Sequence, residues 1–281
     1  MVTTGVFTIR TMIRKELDLA LDWAAAEGWN PGLHDADSFF ATDPGGFLIG
    51  ELDDRPVGCV SAVTYGNVLS FLGFFLMAKE HRGSGYGFQL GQAALQRAGT
   101  CPMGLDGVVA QQENYRKAGF VPAWRNVRYG GRGGGSFPTG LVDVSLVPSQ
   151  EVISFDAEHF GVARPVFVRH WIQQQDALGL AVLEQDRLVG YGVIRACRMG
   201  FKIGPLFARG VAQAERLFNG LAAYAKEAPL FIDVPEPNTA AVALARRHGM
   251  SPVFETARMY KGTPPNIPIE QVFGITTFEL G

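Results

Sequence analysis

Arg82-Gly83-Ser84-Gly85-Tyr86-Gly87 decides the reading of this chain. It stands between an apolar run, Val68 to Met77, that reads as a β-strand and a segment, Phe88 to Ala98, that reads as a helix. A strand ending in a glycine-rich turn that opens a helix is a ready anion site. Glycine lacks Cβ, so its backbone can approach a phosphate closely. Several amides then point one way, and the helix N-terminus adds positive potential. Arg82 places a permanent cation at the entrance.

The turn is not a Walker loop, because no Gly-Lys-Ser/Thr follows. A dinucleotide fingerprint needs Gly-x-Gly-x-x-Gly. Here Gly83, Gly85 and Gly87 run Gly-x-Gly-x-Gly and position 88 is Phe. Asp106 lies at a distance that fits a ribose contact, but the misplaced third glycine argues against a nicotinamide oxidoreductase. A second motif follows, Tyr115-Arg116-Lys117-Ala118-Gly119-Phe120. It closes a short helix beginning near Gln111, with Gly119 as the residue that stops it.

Taken in order, Arg82-x-x-Gly85-x-Gly87 and Tyr115-x-Lys117-x-Gly119-Phe120 resemble two motifs of the GNAT superfamily of acyl-CoA N-acyltransferases, over about residues 5–130. The resemblance implies direct transfer of an acetyl group from acetyl-CoA, as cosubstrate, to a primary amine. It implies a pyrophosphate held by Arg82, Gly83, Ser84, Gly85, Tyr86 and Gly87. The pantetheine arm is expected along Leu76, Met77 and Ala78, with the Met77 amide as oxyanion donor. Tyr115 is expected to protonate the leaving thiolate. The region between the first two helices, Trp29, His34 and Asp35, is expected to line the acceptor site.

The base is not identified by the sequence. An amine near neutral pH is mostly ammonium and must lose a proton. Val68 to Met77 holds no acid. Asp106, His34, Asp35 and Glu51 stay open, and Asp106 reads better as a structural carboxylate, because Asp233 recurs at the matching place further on. A non-catalytic acyl-CoA-binding regulatory protein is the competing reading.

The chain has 281 residues, 47% hydrophobic and 19% charged, which fits about two globular domains. A net charge of −2 gives no reason to expect a nucleic-acid partner. Arg125, Arg128 and Arg132 are expected on a solvated strand face. Cys59, Cys101 and Cys197 form no CxxC pair. That pattern fits a reducing, cytoplasmic compartment, with Cys59 and Cys197 in the core. No signal-peptide pattern or 18-residue apolar run is present, so no membrane partner is expected. Five histidines lack metal-ligand spacing, so no metal is expected. The oligomeric state is open.

The chain also repeats itself. Asp54-Arg55-Pro56-Val57-Gly58 matches Asp186-Arg187-Leu188-Val189-Gly190, Leu105-Asp106 matches Ile232-Asp233, and Gly119-Phe120-Val121-Pro122 matches Gly249-Met250-Ser251-Pro252. Arg128 matches Arg258. These matches predict two tandem copies of one α/β (α+β) fold, each a mixed, mostly antiparallel sheet flanked by helices. The first copy, residues 1–130, is expected to bind acyl-CoA. A glycine-rich linker is expected over 131–140, a degenerate copy over 141–262 and an extended tail over 263–281. In the degenerate copy Arg209-Gly210-Val211-Ala212-Gln213-Ala214 stands for the glycine turn, and Ala245 stands for Tyr115. Phe155, His159, Arg164 and Trp171 are expected to close the other wall of the acceptor cleft.

Overall fold

Residues 5–281 are described by a computed structural model. The chain order is β1 (Phe7–Thr11), α1 (Arg14–Ala26), α2 (Asp35–Thr42), β2 (Phe47–Leu52), β3 (Arg55–Tyr65), β4 (Leu69–Met77), α3 (Tyr86–Ala98), β5 (Met103–Val108), α4 (Gln112–Lys117) and β6 (Val121–Arg132). The same order then recurs: β7 (Val142–Asp143), α5 (Ser149–Phe160), α6 (Pro165–Trp171), β8 (Ala177–Glu184), β9 (Arg187–Ala196), β10 (Phe201–Ala208), α7 (Val211–Tyr224), β11 (Pro229–Pro235), α8 (Thr239–Arg247) and β12 (Ser251–Lys261). A short β13 (Val272–Gly274) follows.

Local chemistry explains why the two halves match. The hairpins β2–β3 and β8–β9 turn on Asp53-Asp54 and Gln185-Asp186, with φ of +49° and +62°, and +50° and +61°. Two successive positive φ values make type I′ turns, whose twist fits the flanking strands. Asn238 caps α8, its side chain accepting the Ala241 amide at 3.0 Å.

All strands join one sheet, ordered β1-β2-β3-β4-β5-β12-β6-β11-β10-β9-β8-β7, with β13 added to β10. Among the described residues, only β4–β5 and β10–β11 pair in parallel. The last strands are exchanged between the halves: β12 pairs with β5 and β6 with β11. Between them β6 and β12 run antiparallel, with Asn126 opposite Thr256, Arg125 opposite Ala257 and Val127 opposite Glu255. A local two-fold axis therefore passes near Asn126 and Thr256.

Helices α1, α2, α5 and α6 share a core on one face of the sheet, the inner face. It holds Leu17, Phe39, Phe47 and Phe74 of the first half with Phe167, Trp171 and Tyr191 of the second. Phe39 lies 5.9 Å from Phe74 and 6.0 Å from Trp171, ring to ring. On the outer face, Leu90 and Ala94 of α3 cover Leu48, Val60 and Ala62, while α7 and α8 cover the second half.

Three sequence expectations need correction. Gly131 and Arg132 are strand, not linker: they close β6 against Leu230 and Pro229. The segment after residue 262 does not stay extended. From Val272 to Gly281 it is buried against the inner core. Arg128 is not on a solvated face; it is 2% exposed and bonds Asp233 through two nitrogens at 2.6 and 2.8 Å.

Candidate active site

Strand β4 alternates until its middle. Leu69 and Phe71 point to the inner core and Leu72 to the outer face. Phe74 then takes φ +47° and the pairing with β3 shifts register, so Phe74 and Leu76 face inward, Phe75 and Met77 outward. A bulge of this kind re-aims a strand. β4 and β5 pair only from Ser70–Leu72 to Met103–Leu105. Beyond that point the strands part, leaving a gap between Gly73–Met77 and Asp106–Val108. The Ala78 amide donates to Val57 O at 2.9 Å. Successive strand amides alternate sides, so the Met77 amide points from β3 toward the gap.

The gap leads to the glycine turn. Gly83 and Gly85 have φ of +81° and +90°, and the space where their Cβ atoms would stand is open. Gly85 caps α3 without a side-chain bond, so the first amides of the helix are free for a ligand. The Arg82 guanidinium donates to Met77 O at 3.0 Å and to Glu27 at 2.6 Å. Ser84 donates to His81 O at 2.6 Å. Tyr86 stacks on Phe7 at 4.4 Å, so its ring packs away from the turn.

Tyr115 lies on α4 with its ring against Gly107, whose missing side chain makes room for it. The ring meets Phe120 edge-to-face at 6.3 Å and joins the outer cluster of Leu72, Leu95 and Leu105. It therefore flanks the gap on the α3 side. Burial pushes its hydroxyl up to about 12, so the phenol holds its proton at neutral pH. Asp106, on the other face of β5, bonds Arg258 at 3.0 and 2.7 Å and accepts from Asn126 at 2.7 Å. This pair mirrors Arg128–Asp233 across the axis, which explains why the Asp and the Arg recur together.

Two family models match the chain: the Acetyltransferase (GNAT) family over residues 13–120 and the Acetyltransferase (GNAT) domain over residues 152–274. Over 270 residues the sequence is 32% identical to holothin acyltransferase of Pseudoalteromonas sp. (strain SANK 73390), spanning 95% of this chain and 92% of that one. The chain belongs to the GNAT acyltransferases. The fold is also that of a putative acetyltransferase from Pyrococcus horikoshii, with TM-score 0.82, 23% identity, and 100% and 98% of the two chains covered. A tandem GNAT protein from the clavulanic acid biosynthesis pathway gives TM-score 0.63 at 13% identity, over 93% of this chain and all of that one.

This GNAT chain does not gather the expected acceptor residues. Asp35 is fully buried, paired with Arg195 at 2.8 Å and bonded by the Gly32 amide at 2.8 Å. Trp29 packs on the inner core, and its carbonyl accepts from Arg128 at 2.7 Å. His34 is half-buried and borders open space. It bonds Asp176 at 2.9 Å beside a polar cavity of about 330 Å³ that also touches Arg169 and His170. Glu51 is occupied by Arg10 at the far edge of the sheet. Phe155, His159, Arg164 and Trp171 do not form a cleft wall; all are buried in the shared core, Arg164 held by Asp156 at 2.7 Å.

The second GNAT half carries the same parting of strands, but it is filled. β10 and β11 pair only from Phe201–Ile203 to Leu230–Ile232. β13 then pairs with β10 at Leu206 and Phe207, and the next residue, Ile275, anchors to β11 by donating to Asp233 O at 2.9 Å. The β10–α7 connection is two residues, Arg209 and Gly210, and Gly210 is extended at φ −160°. Arg209 is taken by Glu158. Ala245 is buried at the place of Tyr115.

Proposed function

We propose that residues 1–130 carry one acyl-CoA site, that acetyl-CoA is the donor, and that a primary amine attacks the thioester directly. The observation that carries this reading is the β4–β5 gap leading to a left-handed glycine turn at the start of α3. Free amides there suit a pyrophosphate, and Arg82 is near enough to exchange Glu27 for it. The Met77 amide points to where the thioester oxygen gains charge. As the N–C bond forms and the C–S bond breaks, the electron pair leaves on sulfur, which takes the Tyr115 proton.

The test is thiol release on mixing the protein with acetyl-CoA and a panel of amines. Holothin belongs in that panel, as the compound named for the relative. Calorimetry is expected to give one CoA per chain. Tyr115→Phe is expected to lower kcat by about 10²–10⁴ with CoA affinity unchanged. A stable Phe variant with full activity would reduce Tyr115 to packing. No thiol release with any amine, alongside tight CoA binding, would favour a non-catalytic acyl-CoA-binding regulator.

A further inference from the structure

Five carboxylates are buried inside the described residues, and four are held by arginines: Asp35 by Arg195, Asp106 by Arg258, Asp156 by Arg164 and Asp233 by Arg128. Glu279 is the exception. It is 2% exposed, and its Oε1 has no hydrogen-bond partner. A lone buried carboxylate is costly, and an unpartnered one needs a reason.

Its position supplies one. A Cβ at Gly73 would overlap the carbonyl oxygen of Glu279, so the tail presses on β4 where β4 leaves β5. Ser61 stands opposite Gly73 on β3, on the inner face with Cys59 and Val63, and its Oγ is likewise buried without a partner. The charges that act on the Glu279 carboxyl are those of Lys202 on β10, Asp35 on α2, Arg128 on β6 and Arg195 on β9. Burial raises the carboxyl above its ordinary range despite the three cations. A narrow slot lined by Trp124, Phe160, Ile267 and Ile269 also touches the tail at Thr276 and Gly281, which flank Glu279 in sequence.

Resting on the acyl-transfer reading above, we propose that Glu279, delivered by the tail of the second half, is the proton acceptor for the amine attacking in the first half. The nitrogen becomes cationic as the N–C bond forms, and its surplus proton passes to the Glu279 carboxylate. The thiolate takes its proton from Tyr115, and solvent returns the Glu279 proton to Tyr115. A neutral amine and acetyl-CoA thus give amide and CoA thiol with no net proton.

The experiment uses the full chain with Glu279→Gln, which keeps shape and removes only the base. Loss of at least about 10²-fold in kcat for an alkylamine is expected, with unchanged CoA affinity and melting temperature. Activity within a few-fold of wild type would overturn the proposal. A second measurement needs no variant. With an arylamine, neutral across the range, wild-type kcat/KM is expected to rise with pH through a group titrating above ordinary carboxylates. A flat profile down to pH 5 would overturn it. Wild type releasing no thiol with any amine would instead overturn the acyl-transfer reading itself, and this proposal with it.

Discussion

The two halves open the same gap between a parallel pair of strands, and they treat it in opposite ways. Between β4 and β5 no strand enters among the described residues. Between β10 and β11 the chain's own β13 pairs with β10 and anchors on β11. The scaffold is therefore not what separates the two halves. Each half pairs its parallel strands over only three residues before they part. The difference lies in what fills the gap and in the next connection, eight residues from Ala78 to Gly85 against two at Arg209 and Gly210. Where the first half leaves its gap open, the second half fills it with its own polypeptide.

The harshest way to break this comparison is to remove the filling. A chain ending at Gly262 would lose Val272, Phe273, Ile275, Phe278 and Leu280, all buried. Each such side chain contributes about 1.5–3 kcal/mol, so the sum rivals a whole domain's stability of about 5–15 kcal/mol. The shortened chain is expected to lose its cooperative unfolding transition, measured by circular dichroism. A folded product that bound two CoA would mean that the tail alone blocks the second gap.

Next in size is Gly85→Val. At φ +90° a β-branched residue is strained by about 1–2 kcal/mol, and its side chain would stand in the open space above the turn. CoA affinity is expected to fall by at least about 100-fold in calorimetry, with the fold retained. Unchanged affinity would place the phosphates elsewhere.

What was legible in the sequence follows the range of the physics. Turn chemistry is local, so the glycine turn and the matching segments Asp54–Gly58 and Asp186–Gly190 could be read directly. The exchange of β6 and β12 could not, because each strand's pattern is the same whichever neighbour it pairs with. One signal was available: Arg128 and Arg258 sit in the runs Asn126–Tyr129 and Thr256–Tyr260, which are buried, and each half carries one matching acid, Asp106 or Asp233. Lone charges in apolar strands need partners, and pairing them across the repeat gives the exchange. The acceptor loop misled for a related reason. Trp29, His34 and Asp35 look available as isolated residues, yet Leu33 and Arg198 tie their loop to the second half by bonds of 2.9 and 3.1 Å. Glu279 carries no local mark at all; only its burial without an arginine sets it apart.

The smallest expected effect sharpens the comparison most. If one side chain had ended binding in the second half, Ala212→Gly would restore the glycine that Gly85 supplies in the first. Ala212, however, lies within the first turn of α7, after a connection too short to wrap a phosphate. Arg209 is held by Glu158, and β13 still occupies the strand gap. The substitution meets none of these obstacles. Glycine in an exposed helix position costs at most about 1 kcal/mol, or about 2–4 °C in melting temperature for a domain of this kind. Calorimetry is expected to give one CoA per chain, as in the wild type. A second binding event in this variant would show that the missing glycine, and not the shortened connection and the inserted strand, separates the two halves.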